Sequence, residues 1–155
     1  ISPVSLRNNS FKLYLTTLFH NKKIDPSRFI LEISEKNSYE DMSRFREIMS
    51  DYQKSGFKIA LNNFGGNNCS FEYIKYLPID ILKFDMEFTK KIEDPKYVQI
   101  LTMYMHFARN LKVQTMLKFA DKEALFTKMK AFNPDYIQGF YISKPKTIGE
   151  INEIW

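Results

Sequence analysis

Short, almost unbroken apolar runs alternate with stretches of helical periodicity along most of the chain, and this alternation constrains the fold more than any other feature. The runs fall at 29–34, 57–61, 79–84, 113–117 and 136–142, and their length and apolar character predict strands of a parallel sheet buried on both faces. Between them Met42, Phe45, Met49 and Tyr52 hold one helical face. Val98, Leu101, Met105 and Ala108 hold another, and Leu125, Met129 and Phe132 a third. An amphipathic helix over 5–20 is predicted ahead of the first strand, with Phe11, Leu15 and Leu18 at helical spacing, and a short helix over 70–76. Ser38 and Asp41 read as a capping box, Ser55-Gly56 as a helix stop and Pro95 as a helix opening. Thr147 with Glu150 is expected to cap a terminal helix reaching Trp155.

A helix followed by five strand–helix units requires parallel strands joined by right-handed crossovers, which leaves a doubly wound sheet or a β/α barrel. A closed barrel has eight units and typically ~250 residues. With 155 residues, an open sheet or a partial barrel is expected. No linker or low-complexity stretch divides the chain, so a single domain over 1–155 is the simplest organisation. The chain opens on Ile1 rather than methionine, and we read it as a fragment of a longer one.

Composition narrows the function classes. The 44% hydrophobic content supports a real core, and no stretch approaches the ~18 apolar residues of a membrane-spanning helix. Net charge is +5, and the first 28 residues carry +4 of it through Arg7, Lys12, Lys22, Lys23 and Arg28 against Asp25. A solvated basic face accounts for this better than an acidic or membrane partner does. Cys69 is the sole cysteine, so no internal disulfide forms and a reducing cytoplasm is the expected compartment. Neither His20 nor His106 lies near it in sequence, so it reads as inert. The 14 Phe and 9 Tyr sit mostly on core-facing stripes, which argues for packing rather than stacking on nucleic acid. Gly65-Gly66 lacks the spacing of a dinucleotide-binding loop.

Parallel β/α folds place functional side chains at the carboxyl ends of their strands. Here those ends carry Glu32, then Asn62 and Asn63, then Lys83 and Asp85, then Lys118, then Gln138. Each has a bland account, since acids and lysines pair and asparagines cap turns. Their convergence favours a site, because burying so many polar groups is costly unless they bind one another or a ligand.

These residues lie in motifs that resemble the bacterial EAL domains, cyclic di-GMP phosphodiesterases and their degenerate relatives built on a β/α barrel. Phe29-Ile-Leu-Glu-Ile-Ser-Glu35 is similar to the family's L-E-I-T-E, and Ile59-Ala-Leu-Asn-Asn-Phe-Gly65 to its L-A-L-D-D-F-G. Leu77-Pro-Ile-Asp-Ile-Leu-Lys-Phe-Asp85 resembles L-P-V-D-x-L-K-I-D, and Gln138-Gly-Phe-Tyr-Ile-Ser-Lys-Pro145 resembles Q-G-Y-Y-F-S-R-P. The resemblance implies a partial barrel whose early strands are missing. The family's first strand, with its Glu-Ala-Leu and following Arg, has no counterpart here. Ile1-Ser-Pro3 resembles the end of V-N-L-S-P, so the metal-binding Asn of that motif would precede Ile1.

Departures from the motifs bear on chemistry. The family hydrolyses a phosphodiester with two divalent ions, Mg²⁺ or Mn²⁺, held by carboxylates. The Asp-Asp pair is here Asn62-Asn63, and A-E-G-V-E aligns with Leu117-Lys-Phe-Ala-Asp121, which puts Lys118 where a site Glu belongs. Only Glu32 persists as an acid of the metal site, beside Lys83, whose family role is to assist the attacking water. Lys118 would repel a cation unless it turned out to solvent. The reading is a degenerate, non-catalytic regulatory or protein-interaction module of cyclic di-GMP signalling. It needs no metal cofactor, and cyclic di-GMP is its candidate ligand at Glu32, Asn62, Asn63, Lys83, Asp85, Lys118 and Gln138. The alternatives are an active metal-dependent phosphodiesterase and a structural scaffold. The latter's open strand edges would be covered by a second copy or a flanking domain.

Overall fold

Five parallel strands hydrogen-bond in the order of the sequence, β1 (Ile30–Ser34), β2 (Lys58–Phe64), β3 (Ile81–Phe84), β4 (Gln114–Lys118) and β5 (Tyr136–Gln138). The computed structural model describes residues 1–34, 41–66, 71–147 and 149–150. Ser38, Cys69 and the 151–155 stretch ending in Trp155 lie outside the described residues. The unbroken strand order excludes the doubly wound alternative, which reverses direction part-way across the sheet. Crossovers of one hand between successive parallel neighbours carry the long connecting helices on one face.

Burial follows that geometry. Ile33, Ile59, Leu61, Leu82, Phe84 and Leu117 face the helices and join Phe45, Met49, Tyr52, Leu101, Met105, Ala108 and Met129 in one buried cluster. The other face carries a small cluster of strand residues alone, Ala60, Ile81 and Met116, with Tyr136 against it. That face is concave: Ile30 and Glu32 of β1 and Tyr136, Ile137 and Gln138 of β5 line one cavity of about 360 Å³. The two edge strands curl toward each other without pairing, so the sheet is an open partial barrel.

Helices between the strands are α3 (Met42–Lys54), α4 (Phe71–Tyr76), α5 (Met86–Lys90), α6 (Pro95–Asn110) and α7 (Glu123–Lys130). α3 starts because the Asp41 carboxylate accepts from the Arg44 N–H, and it ends at Ser55 with Gly56 at φ 97°, a left-handed value suited to glycine. Asp41 is therefore the N-cap itself rather than the far end of a capping box. The anticipated pair at Thr147 and Glu150 is formed, each side chain bonding the other's N–H.

Two further expectations are corrected, and one element was not anticipated. The helix predicted over 5–20 is two helices, α1 (Pro3–Arg7) and α2 (Asn9–Lys22), because Asn8 is extended and its side chain accepts from the Ser10 and Phe11 N–H groups. The fifth strand stops at Gln138 rather than 142: past it the Tyr141 N–H turns back to the Ala120 carbonyl. α5, unforeseen, begins where Asp85 leaves β3 and caps the Glu87 N–H.

Candidate functional site

Side chains alternate along each strand, so the concave face is stacked in layers. Near the amino ends Lys58 donates to Gln114 and Tyr136 at 3.4 and 3.5 Å. Above them Ala60, Ile81 and Met116 form an apolar plug. Two residues further on come Asn62, Lys83, Lys118 and Gln138, with Glu32 level with Ala60 in the strand register. Asn62, Lys83 and Lys118 thus share one face because each sits two positions beyond an apolar residue of the plug, and Gln138 joins them two positions beyond Tyr136.

A cavity of about 970 Å³ opens over this layer, lined by Asn62, Asn63, Lys83, Asp85, Lys118 and Gln138 of the predicted set. Glu32 is the exception. It lines the smaller cavity between the edge strands and reaches the site through an ion pair with Lys83. Lys83 is 3% exposed, so the pairing that sequence reasoning offered as the bland account of these two residues is formed, and it neutralises a deeply buried ammonium.

Lys118 does not turn to solvent. Its ammonium points inward and donates to the Asn62 and Asn63 side-chain oxygens, both at 2.7 Å, and the residue is 8% exposed. Burial, with the positive charge of Lys83 second, lowers its pKa from the usual 10.5; Asp85 and Glu32 oppose the shift. Asn63 adopts φ 63°, a left-handed conformation that Asn tolerates better than most residues. The Asn62 oxygen also accepts the Asn63 N–H at 3.0 Å. At the far wall Asp85 is spent partly on capping α5, and Gly66 is close enough that a Cβ there would lie 3.1 Å from the Asp85 carboxylate.

The donor set does not fit the pair of Mg²⁺ or Mn²⁺ ions that the resemblance implies. Hard divalent cations need carboxylate charge, whereas here two neutral amide oxygens are already bonded to an ammonium. Glu32 and Asp85 are offset by Lys83 and Lys118, so these four groups carry no net charge to hold a cation. No cluster of three metal-ligating His, Cys, Asp or Glu occurs among the described residues. The arrangement suits an anion able to displace Asn oxygens from Lys118, with Gln138 available to a polar edge.

Sequence reasoning missed the rim. Ser34, Met86, Glu87, Lys90, Lys91 and Phe119 also line the cavity. α5 brings three of them and Lys91 follows it directly, and a five-residue helix leaves too short a pattern to read. Lys91 bonds both Glu87 and Tyr97, at 2.6 and 2.8 Å, which holds its charge at the mouth. Gly65, at φ 80°, serves packing: a Cβ would come within 2.7 Å of the Phe88 ring.

Comparison with known proteins gives one consistent result. The family model described as EAL domain matches residues 1–145. The chain is 31% identical over 149 residues to cyclic di-GMP phosphodiesterase PdeA of Borreliella burgdorferi, covering 96% of this chain and 22% of that protein. The EAL domain of Mycobacterium smegmatis DcpA superposes with a TM-score of 0.88 at 22% identity, covering 99% of this chain and 70% of that one. PaMucR phosphodiesterase, solved as a c-di-GMP complex, gives 0.82 at 21% identity, covering 97% and 62%. The chain spans about a fifth of the length of the curated relatives it matches.

Proposed function

Because the chain belongs to the EAL domain family, we propose that it is a regulatory module that binds cyclic di-GMP without hydrolysing it. The observation that carries this reading is the Lys118 ammonium seated between Asn62 and Asn63. A buried cation fixed there opposes a divalent ion in the same place and attracts a phosphate. Charge-assisted hydrogen bonds from Lys118 to a phosphate oxygen would replace those to the two amides. The released Asn side chains would then offer their N–H groups to the ligand. Lys83, paired with Glu32, forms a neutral floor beneath, and Gln138 offers both a donor and an acceptor to a guanine edge. The similarity to proteins named as cyclic di-GMP phosphodiesterases supports the ligand class.

Calorimetric titration with cyclic di-GMP in EDTA, and again in excess Mg²⁺ or Mn²⁺, tests the proposal together with chromatography of the products. Saturable heat of equal affinity in both buffers, with the nucleotide recovered intact, is expected. Linear dinucleotide accumulating in the metal-containing buffer would establish the phosphodiesterase alternative instead.

Among the described residues no strand pairs with the outer edges of β1 and β5, although the Ile1 amine bonds the Glu32 carbonyl of β1, and these edges favour a second reading, an assembly scaffold whose edges are covered by another copy or a flanking segment.

A further inference from the structure

Among the described residues five other than glycine adopt positive φ, and they divide by location. Lys23, Lys112 and Asn133 follow α2, α6 and α7 closely, where a left-handed residue commonly terminates a helix. Asn63 and Phe119 lie instead at the carboxyl ends of β2 and β4, on the wall of the 970 Å³ cavity. Asn is tolerated in this conformation, but Phe119 at φ 69° is a bulky residue where glycine is favoured, and the aligned family motif has Gly there. Strain of this kind persists where the surrounding structure enforces it, and it clusters at functional sites.

Packing does not account for the ring. Phe119 is 52% exposed, lies outside the buried clusters, and borders the cavity beside Lys118 and Gln138. Its backbone is held by the neighbouring bond from the Ala120 N–H to the Gln138 carbonyl, 3.1 Å. The Lys118 ammonium lies 5.9 Å from the ring centroid, close enough for one nucleotide to reach both. A flat apolar face next to a buried cation complements a base joined to a phosphate, and base–aromatic stacking is insensitive to which base is present.

We propose that the Phe119 ring is the platform on which a purine base of the bound nucleotide stacks while its phosphate meets Lys118. This rests on the receptor reading above and assigns a base-binding residue within it. It also makes a distinctive prediction about stability, because the ring is retained in a conformation that glycine would adopt without strain.

The test compares the wild-type chain with F119G, F119A and F119W, in EDTA, by calorimetric titration with cyclic di-GMP and with inorganic pyrophosphate. Thermal unfolding of each variant is measured without ligand. F119G and F119A should weaken cyclic di-GMP binding by about tenfold or more, while F119W retains it. Pyrophosphate, which has no base, should bind all four proteins alike, and F119G should unfold a few degrees higher than wild type. Unchanged cyclic di-GMP affinity in F119G and F119A overturns the platform and leaves the receptor reading standing. An equal loss of pyrophosphate binding in those variants also overturns it, since Phe119 would then act on the phosphate seat. A wild-type chain that binds neither ligand overturns both readings.

Discussion

A lysine ammonium and a divalent metal in the same seat respond oppositely to pH, and Lys118 makes the difference measurable. Burial and Lys83 lower its pKa below 10.5, so folding disfavours the charged form. Between the lowered value and 10.5 the unfolded chain binds more protons than the folded one, and this group's contribution to stability rises with pH. Anion affinity falls over the same window as the ammonium is lost. Titrations of nucleotide across alkaline pH should therefore show wild-type affinity declining before an ordinary lysine would titrate, with K118M weaker and flat. Charge reversal provides a complementary experiment. At ~4 Å and an effective dielectric of ~20 each pair of unit charges is worth about 4 kcal/mol. The triple variant N62D/N63D/K118E should thus acquire saturable Mn²⁺ binding by calorimetry that the wild-type chain lacks. The polar strand ends were legible in the sequence because strand geometry dictates where Asn62, Lys83, Lys118 and Gln138 must point. That Lys118 turns inward was not, because the choice between solvent and two amide oxygens depends on atoms from a strand 55 residues away. The left-handed backbone of Phe119 left a trace only in the glycine of the aligned motif, since the side chain there contradicts the conformation.

Between strands, two aspartates perform one recurring job that no pattern of hydrophobicity reveals. Asp80, just before β3, accepts the Ile59 N–H at 2.7 Å, and Asp135, just before β5, accepts the Thr115 N–H at 2.7 Å and its hydroxyl at 2.9 Å. Each satisfies a backbone donor near the start of the neighbouring strand. D135A should lower stability by about 1–3 kcal/mol in urea denaturation, the cost of leaving a part-buried donor without its acceptor. At the opposite ends of β4 and β5, a Cβ at Gly139 would overlap the Ala120 backbone. G139A should therefore cost about 2 kcal/mol or more by the same measurement, since neither backbone segment can move without disturbing the site. The major elements were legible because long amphipathic periods and bounded apolar runs are strong signals, as at Met42–Lys54 and Ile81–Phe84. Element ends were less so. A single Asn8 side chain divided the first helix, and the bond from Tyr141 to Ala120 cut short the last strand although its apolar composition continued.

The whole molecule presents an open, curled sheet with a basic first segment, and no described helix is long and apolar enough to cross a membrane. If the free edges of β1 and β5 are the means of assembly, static light scattering should report a dimer or larger species. A strictly monomeric, soluble chain would remove the scaffold reading without touching the nucleotide pocket. The strand order carries a consequence for biosynthesis. Each strand docks on the one made just before it, so the sheet can grow in the direction of translation, with every new unit finding its template already in place. The Glu32–Lys83 pair can close once β3 has emerged, before Lys118 has been synthesised. The second ammonium therefore enters a seat whose charge is already balanced, and the pocket wall is complete only when Gln138 leaves the ribosome.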